Sequence, residues 1–204
     1  MKKTGLFIMC GLAAILAVLA LVLALGNKAP GEGNVTVVTA PDQKEAMENE
    51  QFTVVEYVPT EIDGVNVALD GLCEANGYTD VYVATYANDG SRDGGSYWEG
   101  PSGKESMLQL IMKESHVVHT IRIALNPSTL WGKRTQTMSI ETSMDGENYT
   151  ELVPMTDYEF DPDTGNEITI PVDNVEAKYV RLNITKNTGA VSGQVAELEV
   201  YANE

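Results

Sequence analysis

The sequence predicts an all-β domain, a sandwich or a barrel, behind an apolar N-terminal run and an acidic spacer. Three observations carry the prediction. From about Val65 onward, apolar and polar residues alternate at period two over short runs. Clusters of Asp, Gly, Asn and Pro separate those runs, and no long stretch after Asp63 carries a stripe of helical spacing. Period two marks strands with one face buried, and several such strands at regular turns argue for two packed sheets or a closed one.

The strands follow in order. Ile121, Ile123 and Leu125 alternate with Thr120, Arg122 and Ala124; Met138 and Ile140 alternate with Thr137, Ser139 and Glu141. Val180, Leu182 and Ile184 alternate with Tyr179, Arg181 and Asn183, and Ala196, Leu198 and Val200 with Glu197, Glu199 and Tyr201. Turns are expected at Met144-Asp145-Gly146-Glu147, at Asp161-Pro162-Asp163-Thr164-Gly165-Asn166 and at Asn187-Thr188-Gly189. Each sheet would bury one face, about 10 Å from the other.

Ahead of the domain, Lys2 and Lys3 precede an uncharged apolar run over residues 6–25. That is long enough to cross a hydrocarbon core of about 30 Å. The lysines would remain in the cytoplasm and place the rest outside. Residues 1–26 are therefore read as a signal anchor or as a signal peptide, with Ala24-Leu25-Gly26 offering a small-residue cleavage site. Either way the domain works outside the cytoplasm, as a single-pass cell-membrane protein or as a secreted one. Residues 27–62 are acidic and poor in large apolar side chains, so they cannot bury enough surface to offset ordering entropy. They read as a flexible stalk, with a possible helical turn after Pro41 and a possible edge strand over 52–58. Residues 63–204 are the domain.

The chain has 204 residues, 30 acidic and 13 basic, for a formal net charge of −17. A field of that sign repels phosphate backbones and anionic lipid, which argues against nucleic acid and confines membrane contact to the N-terminal run. Two cysteines, Cys10 and Cys73, leave one thiol in the exported part and no internal disulfide, so the domain stands on its own core.

Residues 86–98, Tyr-Ala-Asn-Asp-Gly-Ser-Arg-Asp-Gly-Gly-Ser-Tyr-Trp, form a loop by composition. Short oxygen-bearing side chains on a turning backbone suit a hard cation such as calcium, which takes about six to eight oxygens. An Asp/Gly surface turn without an ion is the alternative.

A family resemblance rests on motifs in a fixed order. They are Asn66-Val67-Ala68-Leu69, Tyr78-Thr79-Asp80-Val81-Tyr82-Val83, Ala87-Asn88-Asp89-Gly90, Tyr97-Trp98-Glu99, Trp131-Gly132-Lys133-Arg134-Thr135-Gln136, Ser143-Met144-Asp145-Gly146, Tyr179-Val180-Arg181-Leu182, and Gln194-Val195-Ala196-Glu197-Leu198-Glu199-Val200-Tyr201. Together they resemble a discoidin domain, also called a coagulation factor 5/8 type C domain, and within it the bacterial family-32-type carbohydrate-binding modules. The resemblance implies a galactose-binding-like jelly-roll β-sandwich, a structural calcium ion near the first loop, and a glycan site in loops at one end.

The resemblance places the calcium on Asp89, Ser96 and Glu197, with carbonyls from around Ala87 and Ser91. This loop carries extra residues, Asp93-Gly94-Gly95 among them; Asp93 is either a further ligand or solvent-facing. Period two independently directs Glu197 away from Ala196 and Leu198, toward an ion or solvent. Sugars present apolar CH faces and rings of hydroxyls, which call for an aromatic platform and polar side chains. The loop residues that offer these are Trp131, Arg134, Glu99, Asn187 and Tyr86. Trp131 either platforms a ligand or plugs one end of the sandwich, Trp98 is read as core, and Arg181 as structural.

Nothing in the sequence argues for an enzyme. His116 and His119 fall on opposite faces of a strand, and neither a Gly-x-Ser-x-Gly elbow nor a phosphate loop occurs. The expected function is that of a monomeric, non-catalytic module binding a glycan or polysaccharide. A protein-binding adhesion domain or a structural accessory module of the same fold is the alternative.

Overall fold

Two strands far longer than the alternating runs suggested dominate the computed structural model, which describes residues 57–203. The apolar run, the expected turn after Pro41 and most of the possible edge strand over 52–58 lie outside the described residues; Tyr57 and Val58 belong to no strand. Among the described residues no helix is long and apolar enough to cross a membrane. The strands are β1 (Val65–Asn66), β2 (Leu72–Ala75), β3 (Trp98–Glu99), β4 (Ser106–Ala124), β5 (Arg134–Ser143), β6 (Thr150–Phe160), β7 (Glu167–Asn187), β8 (Gln194–Val195) and β9 (Glu197–Ala202). Short 3-10 turns lie at Ala84–Asn88, Thr129–Trp131 and Pro162–Thr164. The three expected turns all fall between strands, at β5–β6, β6–β7 and after β7.

The long strands β4 and β7 pair antiparallel from Ser106 opposite Ile184 to Ala124 opposite Glu167. Beside them the sheet order is β1-β9-β4-β7-β5-β6, with β2 also on β4. The first half of β4 pairs with β2 and its second half with β9. The second half of β7 pairs with β5. Register breaks between Ile111 and His116 and between Val118 and Thr120. At the first break Lys113, Glu114 and Ser115 are all exposed. Extra residues of this kind bend a strand and sharpen its twist. Both long strands thereby serve the two layers of an antiparallel sandwich, and the short β3–β8 pair closes one end.

Buried side chains fill the space between layers: Leu108, Leu110 and Met112 on β4, Ile140 on β5, Val180, Leu182 and Ile184 on β7, Leu198 and Val200 on β9. Trp98 is fully buried and donates its indole N–H to the Gly77 carbonyl at 3.0 Å. It sits on the two-residue β3 rather than leading into a long strand.

One expectation changes. Alternation gave β9 and the end of β4 one wet face, but Glu197, Glu199, Arg122 and Ala124 are buried as well. The reason is the 86–98 loop, which closes over Glu197 and over a neighbouring cluster of ion pairs. Arg122 lies 3.3 Å from Glu199 and 3.5 Å from Glu167, and Arg92 of the loop bridges the same two carboxylates. Contacts also reach back across residue 63: the Tyr57 hydroxyl donates to Glu167 at 3.2 Å, its ring covers Gly165, and Arg122 donates to the Thr60 carbonyl.

Truncating Leu182 to Ala should cost about 2–5 kcal/mol through lost burial and a residual cavity. The exposed Lys113→Ala should stay within about 0.5 kcal/mol. Urea unfolding of both variants gives the comparison.

Candidate functional site

The 86–98 loop closes over the start of β9. Glycine at position 90 has φ +81°, a left-handed conformation that turns the chain, and its N–H donates to both Glu197 oxygens, at 3.3 and 3.2 Å. Next to it, Asp89 accepts from the Ser91 N–H at 2.9 Å and from the Ser96 hydroxyl. Glu197 is 2 % exposed. Burial pushes its carboxyl up to about 8; the Gly90 N–H and Arg92 oppose the shift, and Asp89 and Glu199 add to it. Cys73 is buried close by, and burial and then Glu197 push its thiol up to about 12.

Asp89, Ser96 and Glu197 are therefore brought to one loop and one strand end. Asp93 is exposed; its N–H donates to Ser91 Oγ at 3.4 Å and its carbonyl accepts from Ser96 at 3.0 Å. Among the described residues no group of three or more His, Cys, Asp and Glu side chains is placed to hold a metal. This set holds two carboxylates and needs hydroxyl and carbonyl oxygens to complete a shell, which suits a hard cation in donor type. Glu197 makes no ion pair with Lys or Arg among the described residues, and the Gly90 N–H is the one hydrogen-bond donor it meets there, so its ionised form is costly without a cation.

At the β3–β8 end, four of the five expected sugar-binding residues meet around a residue the sequence did not single out, Gln194. Its side-chain carbonyl accepts from Arg134 Nη1 at 2.7 Å and from Asn187 Nδ2 at 3.2 Å, and its amide donates to Glu99 at 3.0 Å. The Gln136 side chain pins the Gln194 backbone at both its N–H and its carbonyl. Trp131 stands edge-on to Tyr97 with ring centroids 4.7 Å apart, and Tyr97 stacks on Tyr82 at 4.1 Å. All three rings are half-buried. Burial, and then the adjoining Tyr82 hydroxyl, raise the Tyr97 phenol above its ordinary value.

Arg134 is 8 % exposed and lies against the Trp131 ring, 4.8 Å from its centroid. Gly189 packs on the guanidinium so closely that a Cβ there would stand 2.7 Å from Cζ. Burial lowers the Arg134 pKa, and the Glu99 carboxylate works against that. Arg134 thus packs beneath the tryptophan, hydrogen-bonded to Gln194. Tyr86 is exposed on the Ala84–Asn88 turn and makes no ring contact with this group. Tyr97 was legible in principle: with Trp98 pointing inward, period two sends Tyr97 and Glu99 outward together.

The family model for the F5/8 type C domain matches residues 45–198. No curated protein sequence matches the chain. Similar solved structures include CpGH89CBM32-5 from Clostridium perfringens in complex with GalNAc-β-1,3-galactose, at 18 % identity and TM-score 0.57, covering 68 % of this chain and 100 % of that one. A pectin-binding carbohydrate-binding module aligns at 24 % identity and TM-score 0.54, covering 67 % and 91 %. A family 89 glycoside hydrolase from Clostridium perfringens aligns at 22 % identity and TM-score 0.59 over 69 % of this chain, which spans 15 % of that enzyme. At these identities the likeness is one of fold.

The raised Glu197 carboxyl gives a signed pH effect. Unfolded, the group loses its proton near its ordinary 4.5; folded and metal-free, it holds the proton to about 8. Between those values the folded state binds more protons, so this group's contribution makes stability fall as pH rises. Thermal melts in chelator from pH 5 to pH 8 should show that fall, and Glu197→Gln should flatten part of it.

Proposed function

The chain belongs to the F5/8 type C domain family, and from that premise we propose that it is a non-catalytic carbohydrate-binding module, steadied by a structural calcium ion and displayed outside the cytoplasm. The observation that carries the reading is the half-exposed aromatic strip Tyr82–Tyr97–Trp131 set beside Glu99 on a framework locked by Gln194. Ring faces take the apolar CH face of a sugar, and fixed polar groups beside them select hydroxyls. Rigid support matters because ordering side chains at binding costs affinity. In this reading Trp131 and Tyr97 offer stacking surface, Glu99 meets hydroxyls, and Arg134 and Asn187 hold the shape. A glycosidase would need two placed carboxylates flanking a cleft, and Glu99 is the one carboxylate hydrogen-bonded into this cluster among the described residues.

The calcium would be held by Asp89, Ser96 and Glu197, with carbonyls of the same loop. When bound it supplies positive charge to a buried carboxylate that the protein leaves unpaired. Asp93 could join from the exposed side of the loop. Export rests on the sequence of residues 1–26, with the cell surface as the proposed location. A protein partner is the second reading, favoured by Leu130 and Val191, which are 56 % and 74 % exposed beside Trp131 and Ser192 in sequence.

Two measurements test the proposal. Calcium should raise the melting temperature of chelated protein, by an amount equivalent to about 2.7 kcal/mol at one hundred times its Kd, and Asp89→Ala or Glu197→Gln should abolish the rise. Trp131→Ala should weaken the best glycan of an array at least about ten-fold, worth about 1.4 kcal/mol, with the fold unchanged by circular dichroism. Absence of any glycan signal from the calcium-loaded protein would favour the protein-binding reading instead.

A further inference from the structure

We infer that the site around Gln194 selects for sugars that bring hydrogen-bond donors, amino sugars with a free ammonium first, and rejects acidic sugars. The inference rests on the carbohydrate-binding reading and goes beyond it by naming the charge class of the ligand. It comes from following each polar group of the cluster to its partner. Asn187 has two amide hydrogens, and both are committed, one to the Ser192 carbonyl at 2.9 Å and one to Gln194 Oε1. Its carbonyl oxygen accepts from the Gly189 N–H at 2.9 Å. Arg134 gives Nη1 to Gln194 and Nε to the Gly132 carbonyl at 3.3 Å, and its guanidinium lies between the Trp131 ring and the Gly189 backbone. The Gln194 amide is turned to Glu99.

The guanidinium, 8 % exposed between Trp131 and Gly189, is thereby screened from a ligand resting on the rings, and both Asn187 amide hydrogens are spent within the cluster. What the cluster keeps for a ligand is acceptor capacity. A carboxylate offers about four lone-pair positions and no hydrogen, and Gln194 occupies one of those on Glu99. Glu99 is half-buried on β3, on the outward side of the strand from Trp98 and two residues after Tyr97. A ring resting on Tyr97 and Trp131 thus meets Glu99 at its edge. A hydroxyl pair satisfies that carboxylate; an ammonium does so with a charge-assisted bond and gains attraction to the aromatic faces. A uronate carboxylate would face Glu99 with like charge, and the nearest guanidinium lies covered by Trp131 and Gly189. The net charge of −17 acts in the same direction at long range. Glu99 is accordingly the specificity-determining residue, and Gln194 the residue that positions it.

Isothermal titration of detergent-solubilised full-length protein tests this with glucosamine, N-acetylglucosamine and galacturonate oligomers of equal length. The expected order is glucosamine at least ten-fold tighter than its N-acetylated counterpart, with the galacturonate weakest. Glu99→Gln should weaken glucosamine far more than N-acetylglucosamine and bring the ratio of the two affinities to about one. A second reading needs no variant: rising salt should weaken glucosamine binding and leave the neutral oligomer unchanged. Galacturonate binding as tight as glucosamine, a preference that survives Glu99→Gln, or a salt-independent glucosamine affinity would each overturn the inference while leaving the module reading intact. Failure of all three oligomers and of a wider neutral panel would overturn both.

Discussion

The antiparallel pairing of β4 with β7 is the constraint on which the rest depends. Each strand is too long for one flat layer, and each bends where its register breaks. Because the same two chains run through both layers, their ends fix where everything else can go. Arg122 near the end of β4, Glu167 at the start of β7 and Glu199 on β9 meet under the 86–98 loop. The other end of β7 delivers Asn187 to Gln194. One pairing thus supplies the walls of two separate polar clusters, and neither could form if β7 slipped by a residue, since a slip would reverse the facing of every side chain.

Much of this was readable from the sequence where local physics decides. The alternations around Ile121, Met138, Val180 and Leu198 gave strands in the right places because a half-buried strand has no other way to sort its side chains. Turn residues marked the gaps for the same local reason. What the sequence hid was non-local. Nothing in the run around Lys113 says that strands on either side of it are one bent strand. Period two leaves Glu197 facing an ion or solvent; only the family resemblance brings the 86–98 loop to it, and its burial to 2 % exposure depends on that distant loop closing. Arg134 offers itself in sequence both to a ligand and to a carboxylate; the glycine that covers it, Gly189, is distant in the chain. Gln194 opens the last family motif, but a lone glutamine carries no role until its four partners are in place.

The two clusters treat buried charge differently. In the first, two arginines and two glutamates neutralise each other, and removing one member of such a set typically costs about 3–5 kcal/mol because the remainder is stranded. Glu197, close by, is excluded from that exchange and, among the described residues, accepts from the Gly90 backbone N–H alone. In the second, a single guanidinium is stabilised by an aromatic face, an amide and a glycine backbone rather than by a tight ion pair. The first arrangement resists change of any member; the second leaves a carboxylate at its rim with capacity to spare.

The contacts of Tyr57 and Thr60 bear on how this protein is best cut. A fragment started at residue 63, where composition changes, would strip the aromatic cover from Gly165 and the hydroxyl from Glu167. It would also take away the carbonyl that receives Arg122. Such a trimmed piece would retain every strand yet expose the edge of its innermost charges to water, and a protease or a designer who clips there would obtain a softer molecule than the one described. The sound place to begin is upstream of Tyr57.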